Sequence, residues 1–346
     1  MSSCELPQIQ VASPGELIET VPYLMGFHPI ESLTLVGFSC RFGRPHRVTV
    51  TVRVDLPDRP DQLGDLSALT AAFQTSCTDA VVVILHTDRF TGDPRARPEL
   101  RELQDRVGCG LRGLELEVID VLVANADRWW SMCCEQPECC PAEGTSRSSH
   151  SSAVAATATF AGLVAFPDRQ ALAESLTGSA PTERATLAPL LAEARAGRIG
   201  ADDRVAQRAD SAAILDAARR YPAELATITD DELAWFGVAL TEPPVRDLVW
   251  LAIDARAVDA TPLLHLLHTR LPEEYALTPL FLYGWAQWRA GSGTLALMAA
   301  EQVLAVDPGY SAARLLVEAV RRGLDPQRTP ALSDLPRSGR RRSGRS

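Results

Sequence analysis

Residues 127–144, which read DRWWSMCCEQPECCPAEG, constrain this chain more than any other stretch, because they hold two adjacent tryptophans and four of the eight cysteines. Adjacent tryptophans need burial or a ligand surface, and clustered thiols attract metal or oxidant unless the fold uses them. Neighbouring side chains diverge in most backbone conformations. We therefore expect one tryptophan in the core and Trp129 beside a pocket, with burial of both against a helical domain as the alternative. The stretch follows the last predicted strand, so we interpret it as a hinge and lid between two domains.

The cysteines of this stretch allow three interpretations. Cys133, Cys134, Cys139 and Cys140 match the ligand number of a tetrahedral zinc site, but zinc proteins usually space their ligands as C-x-x-C, whereas these pairs are adjacent. One thiol from each pair, with a distant histidine, would converge more readily than all four. A disulfide from Cys134 to Cys139 or Cys140 is the second interpretation, and a reducing compartment opposes it. We expect small, packed thiols in a tight turn and assign no metal, and the sequence leaves the cofactor unknown.

The charge balance argues against broad nucleic-acid binding. All 34 basic residues are arginines, and the net charge is −10. Five of the last ten residues are arginines, so the rest of the chain is more acidic than the total. Phosphate backbones repel such a body.

The beginning of the sequence and its hydropathy indicate a cytoplasmic protein. MSSCELPQIQ lacks the basic start and apolar run of a signal peptide. The longest mostly apolar segment, 153–166, is too short to span a bilayer and is predicted to be a buried helix. We therefore expect no membrane association.

Residues 1–145 are predicted to form an α/β domain with a mixed sheet. A helix starts at Ser13, whose hydroxyl can cap it in a capping box with Glu16, and ends before Gly26. Pro22 predicts a break or a short second segment. The alternating run 47–54 and the continuous apolar run 79–86 are typical of strands, the latter covered on both faces. In chain order, strands are predicted at 32–38, 47–54, 79–86 and 114–124, with further helices at 61–76 and 98–107.

The remainder is predicted to be helical. Residues 146–152 are small and polar and form the candidate linker. Almost every segment of 153–326 has a helical pattern, and 327–346, rich in Pro, Ser, Gly and Arg, is expected to be disordered. Gly284, Ala296 and Pro308 have the spacing of one tetratricopeptide repeat; a plain helical hairpin is the alternative. This repeat-like pattern predicts a protein partner for the helical domain.

The topology brings several polar residues to one side of the predicted sheet. If the first two strands form a hairpin, the residues before the first lie beside those after the second. Later strands parallel to the second would end on the same side, where ligands of α/β sheets bind. The predicted pocket comprises His28, Glu31, Ser32, Asp55, Asp88, Asn125 and Trp129.

Two functions are compatible with this pocket. The first is a binding or scaffold protein, favoured because the chain has no P-loop, no G-x-G-x-x-G and no G-x-S-x-G motif. The second is an enzyme, a hydrolase or transferase, with His28 as base and Glu31 or Asp55 orienting it. Each pocket residue also has a structural interpretation, since Asp, Asn and Ser are common where strands and turns meet.

Two motifs resemble one family. VPYLMGFHPIESLTLVGF at 21–38 and DRWWSMCCEQPECCPAEGT at 127–145 are similar to an actinobacterial family described as domain of unknown function 4192. The resemblance extends from about residue 13 to near 322. Its cysteines correspond to Cys134, Cys139 and Cys140, whereas Cys133 looks like a local addition, which counts against a four-thiolate site. The resemblance implies a cytoplasmic protein and supplies no activity or substrate.

Overall fold

The computed structural model describes residues 11–147, 153–160, 163–198, 204–221 and 227–334. They form two compact units. The N-terminal unit comprises the chain up to Ser175 together with Glu318–Asp325, and the helical unit comprises Leu176–Val317 together with the segment that begins at Pro326. The predicted linker at 146–152 falls largely outside the described residues and stays a prediction. The predicted fold class, an α/β region with a mixed sheet followed by an all-helical region, is confirmed.

Helix α1 (Pro14–Met25) has the predicted ends. The hydroxyl of Ser13 accepts a hydrogen bond from the Glu16 backbone N–H at 3.3 Å, and Gly26 ends the helix with a φ of 81°, in the left-handed region that glycine favours. The break predicted at Pro22 is wrong, because α1 continues past it. Since proline has no N–H, the carbonyl of Ile18 loses its usual partner within the helix.

The six strands form one mixed sheet in the order β2-β1-β3-β4-β5-β6. Strands β3 and β4 pair in parallel, and the other neighbours are antiparallel. Strands β2, β3 and β4 therefore end on the side where β1 begins, which we call the carboxyl edge. The strands are β1 (Ser32–Arg41), β2 (Arg44–Asp55), β3 (Ala80–His86), β4 (Glu117–Ala124), β5 (Arg128–Ser131) and β6 (Thr145–Ser146).

One hydrophobic core cluster of the N-terminal unit lies on one face of this sheet. Strand β3 is buried along its whole length, as its apolar run predicts. Helix α3 (Pro98–Gly113) covers the face and is longer than the predicted 98–107, because Leu111 continues the apolar stripe of Leu103 and Val107 and is fully buried. The core also contains Leu33, Leu35, Phe73, Val81, Val83, Leu85, Val121 and Val123.

Two helix predictions in this unit need correction. Residues 61–76 form short 3-10 turns and then α2 (Thr70–Thr75), because Asp65 interrupts the segment by accepting the Ser67 backbone N–H at 2.8 Å. In place of the helix predicted over 153–166, α4 covers Ala153–Phe160. Phe166 instead pairs with Phe27 in a parallel β-bridge.

The helical unit contains a long hydrophobic hairpin. Helices α12 (Glu273–Arg289) and α13 (Gly293–Val306) approach closely at Gly284, where an added Cβ would lie 3.0 Å from the Cβ of Ala299. The repeat-like interpretation stays a prediction. The other helices are α5 (Arg169–Glu174) in the N-terminal unit, then α6 (Pro181–Ala185), α7 (Ala188–Ala196), α8 (Arg204–Arg220), α9 (Asp230–Leu240), α10 (Pro243–Asp254), α11 (Thr261–Arg270) and α14 (Ser311–Arg321).

The beginning of the predicted disordered tail is ordered. Arg289, which is 5% exposed, donates hydrogen bonds to the carbonyls of Thr329 at 2.9 Å and Pro330 at 3.1 Å. The backbone N–H of Leu332 donates to Asp254. Residues 327–334 therefore belong to the helical unit, and 335–346 lie outside the described residues. No described helix combines the length and apolarity that crossing a membrane requires.

Candidate functional site

The carboxyl edge holds a cavity of about 190 Å³. In the sheet register, Ser32 lies opposite both Asp55 on β2 and His86 on β3, and His86 lies opposite Ala124 on β4. The loop before β1 and the loops after β3 and β4 consequently meet beneath α1, which contributes Ile18 and Pro22. The polar lining residues are His28, Glu31, His86, Thr87, Asp88, Asn125 and Arg147.

Four of the seven residues predicted for the pocket line this cavity: His28, Glu31, Asp88 and Asn125. His28 is exposed, and its backbone N–H donates to the carbonyl of Phe166 at 2.9 Å. The bridge between Phe27 and Phe166 thus fixes the loop that carries His28.

Glu31 ties two loops together. Its carboxylate accepts hydrogen bonds from the Thr87 hydroxyl at 2.9 and 3.0 Å and from the Asp88 backbone N–H at 3.2 Å. Its Oε2 lies 2.6 Å from the Nε of Arg89, which neutralises the charge. The backbone of Glu31 has a φ of 43°, an uncommon value for a residue other than glycine. Glu31 therefore positions the loop after β3.

Asp88 and Asn125 shape the loop after β4. Asp88 Oδ1 accepts the backbone N–H of Ala126 at 2.9 Å, and Asn125 Oδ1 accepts those of Asp127 and Arg128 at 3.0 and 2.7 Å. An Asx turn of this kind is the structural role that Asn commonly has after a strand. Both side chains border the cavity while holding its wall in place.

Ser32 and Asp55 reach the same edge but do not line the cavity. The Ser32 hydroxyl donates to the Ile30 carbonyl at 2.7 Å and accepts from Arg53 Nε at 2.8 Å. Arg53 also pairs with Asp55 at 2.6 Å, and the Asp55 side chain is 86% exposed. Residues 53 and 55 lie on one face of β2, so the Arg53 side chain can contact both Asp55 and Ser32. The Ser32 hydroxyl and the Asp55 carboxylate are therefore already bound to Arg53.

The two tryptophans diverge as predicted, and Trp129 is not among the lining residues. Trp130 is 5% exposed, and its Nε1–H donates to the Ala142 carbonyl at 3.1 Å. Trp129 is half-buried and packs on Gly15, where an added Cβ would lie 3.2 Å from its Nε1. Its ring thus covers the first turn of α1.

His86 is the main polar group of the cavity that the sequence analysis left out of the pocket. Its side chain is 6% exposed, and its Nε2 has no hydrogen-bond partner among the described residues. Burial lowers the pKa of His86 to about 3, and the positive charges of Arg147, His28 and Arg53 add to this effect. The imidazole is therefore neutral at physiological pH. A histidine ending an apolar strand is the sequence signal that could have identified it.

Arg147 also lines the cavity and was not predicted to do so, because it lies in the predicted linker. Its Nη1 donates to the Asn125 carbonyl at 2.7 Å, and its backbone N–H donates to the Asp127 carbonyl at 2.8 Å. Desolvation lowers the pKa of Arg147, while the nearby acids Glu19 and Asp88 oppose that shift. The guanidinium thus contributes a positive charge to the lining of the cavity.

The cysteine cluster is distinct from this cavity. The Sγ atoms of Cys134, Cys139 and Cys140 all lie within 4.8 Å of one another. Both thiols of the second pair converge with Cys134, although one thiol from each pair was expected to converge more readily than all four. The backbone N–H groups of Cys139 and Cys140 both donate to the Gln136 carbonyl, at 3.1 and 2.7 Å, and in so tight a turn consecutive side chains need not point to opposite sides.

The three thiols differ in their acidity. A backbone hydrogen bond from Gln136, then a contact with Cys140, lowers the pKa of Cys134. Burial, then hydrogen bonds with Cys134 and Cys139, raises the pKa of Cys140 to about 12. None of the described cysteines forms a disulfide bond.

Comparison with known proteins identifies a family. The family model described as Domain of unknown function (DUF4192) matches residues 14–327. No curated protein and no solved structure matches the chain significantly. The match includes the loop of His28, the cysteine cluster and most of the helical unit. The resemblance found in the two motifs is thereby confirmed, and the chain belongs to the DUF4192 family, whose description assigns no activity.

Proposed function

We propose that the N-terminal unit binds a small polar molecule in the cavity at the carboxyl edge. The observation that carries this proposal is His86, a buried imidazole that lines the cavity and whose Nε2 lacks a partner among the described residues. Leaving a buried polar atom unsatisfied costs about 1–3 kcal/mol, which a bound ligand would recover. A concave site with convergent polar groups is the usual form of a small-molecule site.

The lining indicates the chemistry of the ligand. Neutral His86 can donate through one ring nitrogen and accept through the other. Arg147 offers a positive charge and Asp88 a negative one, whereas the charge of Glu31 is already paired with Arg89. A molecule that carries both hydrogen-bond donors and acceptors, such as a zwitterion, fits this mixed lining better than an apolar compound.

Binding is better supported than hydrolase or transferase activity. The Glu31 carboxylate, a candidate for orienting His28, is occupied by Thr87, Asp88 and Arg89. Asp55, the other candidate, is largely exposed and pairs with Arg53.

The protein partner proposed for the helical unit rests on the repeat-like pattern alone. The lack of disulfide bonds among the described cysteines fits the cytoplasmic location that we propose.

A ligand screen tests this function. The thermal unfolding temperature of the full-length protein would be measured with each compound of a panel of amino acids, hydroxy acids, nucleosides and sugars. The affinity of each stabilising compound would then be measured by calorimetry. We expect at least one hit, whose affinity falls at least about tenfold in His86→Leu, equivalent to the loss of one hydrogen bond. His46→Leu is the matched control, because His46 is exposed on β2.

Two results would count against the proposal. One is a panel without any stabilising compound, and the other is a hit that binds wild type and His86→Leu equally. Incubation of each hit with the protein, followed by NMR, would detect turnover; conversion that depends on His28 would favour the enzymatic function over simple binding.

A further inference from the structure

We infer that Cys134, Cys139 and Cys140 form a zinc site with one open coordination position. The inference is independent of the proposed ligand cavity, since none of the three cysteines lines it. Three sulfur atoms within 4.8 Å of one another are near the separation of about 3.8 Å that tetrahedral Zn–S bonds of 2.3 Å impose. Binding would shorten these separations and release the remaining thiol protons to solvent.

The loop that carries the thiols is held by a partly buried arginine. Arg95 Nη1 donates to the carbonyls of Cys134 at 2.8 Å and Cys140 at 3.1 Å, which fixes both ends of the loop. Asp93 orients the guanidinium through its Nε and Nη2, both at 2.9 Å. The side chain of Arg95 is 17% exposed. Arg95 therefore holds the backbone of the cluster in place, while the charge of its guanidinium is paired with Asp93.

A second set of hydrogen bonds fixes the entry to the loop. The hydroxyl of Ser131 accepts the backbone N–H groups of Cys133 and Cys134 at 3.2 and 3.1 Å. That hydroxyl in turn donates to Asp120 Oδ1 at 2.8 Å. The backbone on the N-terminal side of Cys134 is thereby anchored to β4 and β5. A prearranged site lowers the ordering cost of metal binding.

The composition of the cluster narrows the choice of metal. Thiolates favour zinc, copper(I) and iron–sulfur clusters, and iron–sulfur clusters generally need four protein ligands. Among the described histidines, cysteines and acids, the group that could share one ion consists of these three thiols. Cys139 is exposed, so an ion can enter from solvent. The fourth position of a tetrahedral zinc would go to water or to an exogenous ligand, the arrangement found in catalytic zinc sites.

Cys133 provides a matched control within the same loop. It is exposed, and its Sγ accepts a hydrogen bond from Gln104 Nε2 at 3.7 Å in place of joining the cluster. Cys139 is exposed as well, so the substitutions Cys133→Ser and Cys139→Ser remove similar surface thiols. Of these two thiols, only that of Cys139 is a proposed zinc ligand. Cys140 is buried, which makes its substitution less suitable because folding could be affected.

The test uses full-length protein purified under reducing conditions without chelator. We expect elemental analysis to find about one equivalent of zinc, and titration of the stripped protein with Zn²⁺ against a chromophoric chelator to give a single site. Cys139→Ser should weaken that site at least about 100-fold, whereas Cys133→Ser should change its affinity less than about threefold, roughly the measuring error. Co²⁺ should give thiolate charge-transfer absorption in wild type, a readout that stands even if Cys139→Ser fails to fold.

Three results would overturn the inference. The first is less than about a tenth of an equivalent of metal both as purified and after Zn²⁺ titration. The second is equal weakening of the site by the Cys133→Ser and Cys139→Ser substitutions. The third is a disulfide between two of the three cysteines in protein kept under reducing conditions, detected by mass spectrometry after alkylation.

Discussion

Arg89 Nε lies 2.6 Å from Glu31 Oε2 and so joins the loop before β1 to the loop after β3. Both side chains are about one-third exposed, at 36% for Arg89 and 31% for Glu31, so water weakens the pair. The Thr87 hydroxyl and the Asp88 backbone N–H bind the same carboxylate. The stabilising effect of Glu31 therefore comes from several charge-assisted contacts acting together.

The substitution Glu31→Gln should remove the ion pair and keep the size of the side chain. We expect the free energy of unfolding to fall by about 1–2 kcal/mol, measured by urea denaturation at pH 7. Asp55→Asn is the control, because Asp55 is 86% exposed and should contribute less than about 1 kcal/mol. Equal losses in the two variants would show that Glu31 does not hold the carboxyl edge together.

The position of the cavity follows from sequence patterns. Alternation over 47–54, the hairpin and the apolar run 79–86 place His28, Glu31, Asp88 and Asn125 at one edge of the sheet. The prediction also requires β3 and β4 to run in the same direction as β2, which helical connections between these strands favour.

Which side chains line the cavity does not follow from the sequence, because it depends on individual contacts. Arg53 binds the Ser32 hydroxyl and the Asp55 carboxylate, and the alternating pattern of β2 does not indicate these contacts. Trp129 packs on Gly15, a partner more than a hundred residues earlier in the sequence. Arg147 enters the site because the short strand β6 pairs with β5, and two residues are too few to produce a strand pattern.

A buried ion pair in the helical unit gives the second prediction. Asp254 accepts hydrogen bonds from Trp285 Nε1 at 2.8 Å and Arg289 Nε at 2.7 Å, and its side chain is fully buried. Asp254→Asn would leave the charge of Arg289 buried and unpaired, so we expect a loss of about 3–5 kcal/mol in thermal or chemical unfolding. Asp247→Asn removes a half-exposed partner of Arg246 and should cost less than about 1 kcal/mol. A small loss of unfolding free energy in Asp254→Asn would mean that residues 327–334 do not exclude water from this ion pair.

The third prediction concerns two left-handed residues at helix ends. Glu115 and Arg256 have φ values of 60° and 55°. After α3, the Leu116 N–H donates to the Leu111 carbonyl, the pattern of a Schellman cap that favours glycine at residue 115. Glu115→Gly should therefore raise the free energy of unfolding by about 0.5–1 kcal/mol.

Arg256→Gly is the matched comparison at the other cap. The Arg256 side chain donates to Gln327 at 2.7 Å and to the carbonyls of Arg289 and Pro326 at 3.0 and 3.1 Å. Loss of these contacts should cancel the conformational gain, so this variant should be no more stable than wild type. Stabilisation of both variants by the same amount would show that the contacts of Arg256 contribute nothing.

The last prediction is a pH dependence that arises from His86. Its pKa falls from 6.5 in the unfolded chain to about 3 in the folded protein, because burial and the charges of Arg147, His28 and Arg53 disfavour the imidazolium. Below pH 6.5 the unfolded chain binds a proton that the folded protein does not, so stability is lost as the pH falls towards 3. Between pH 7 and pH 5 this group should remove about 2 kcal/mol.

The variant His86→Leu isolates that contribution. Urea denaturation of wild type and variant at pH 7, 6 and 5 should show that the variant loses about 2 kcal/mol less than wild type between pH 7 and pH 5. His268, buried in the helical unit with a lowered pKa, is present in both proteins and cancels from the difference. Identical pH dependence in the two proteins would mean that the imidazole of His86 is protonated equally in the folded and unfolded states. The buried, neutral imidazole on which the proposed ligand site depends would then be absent.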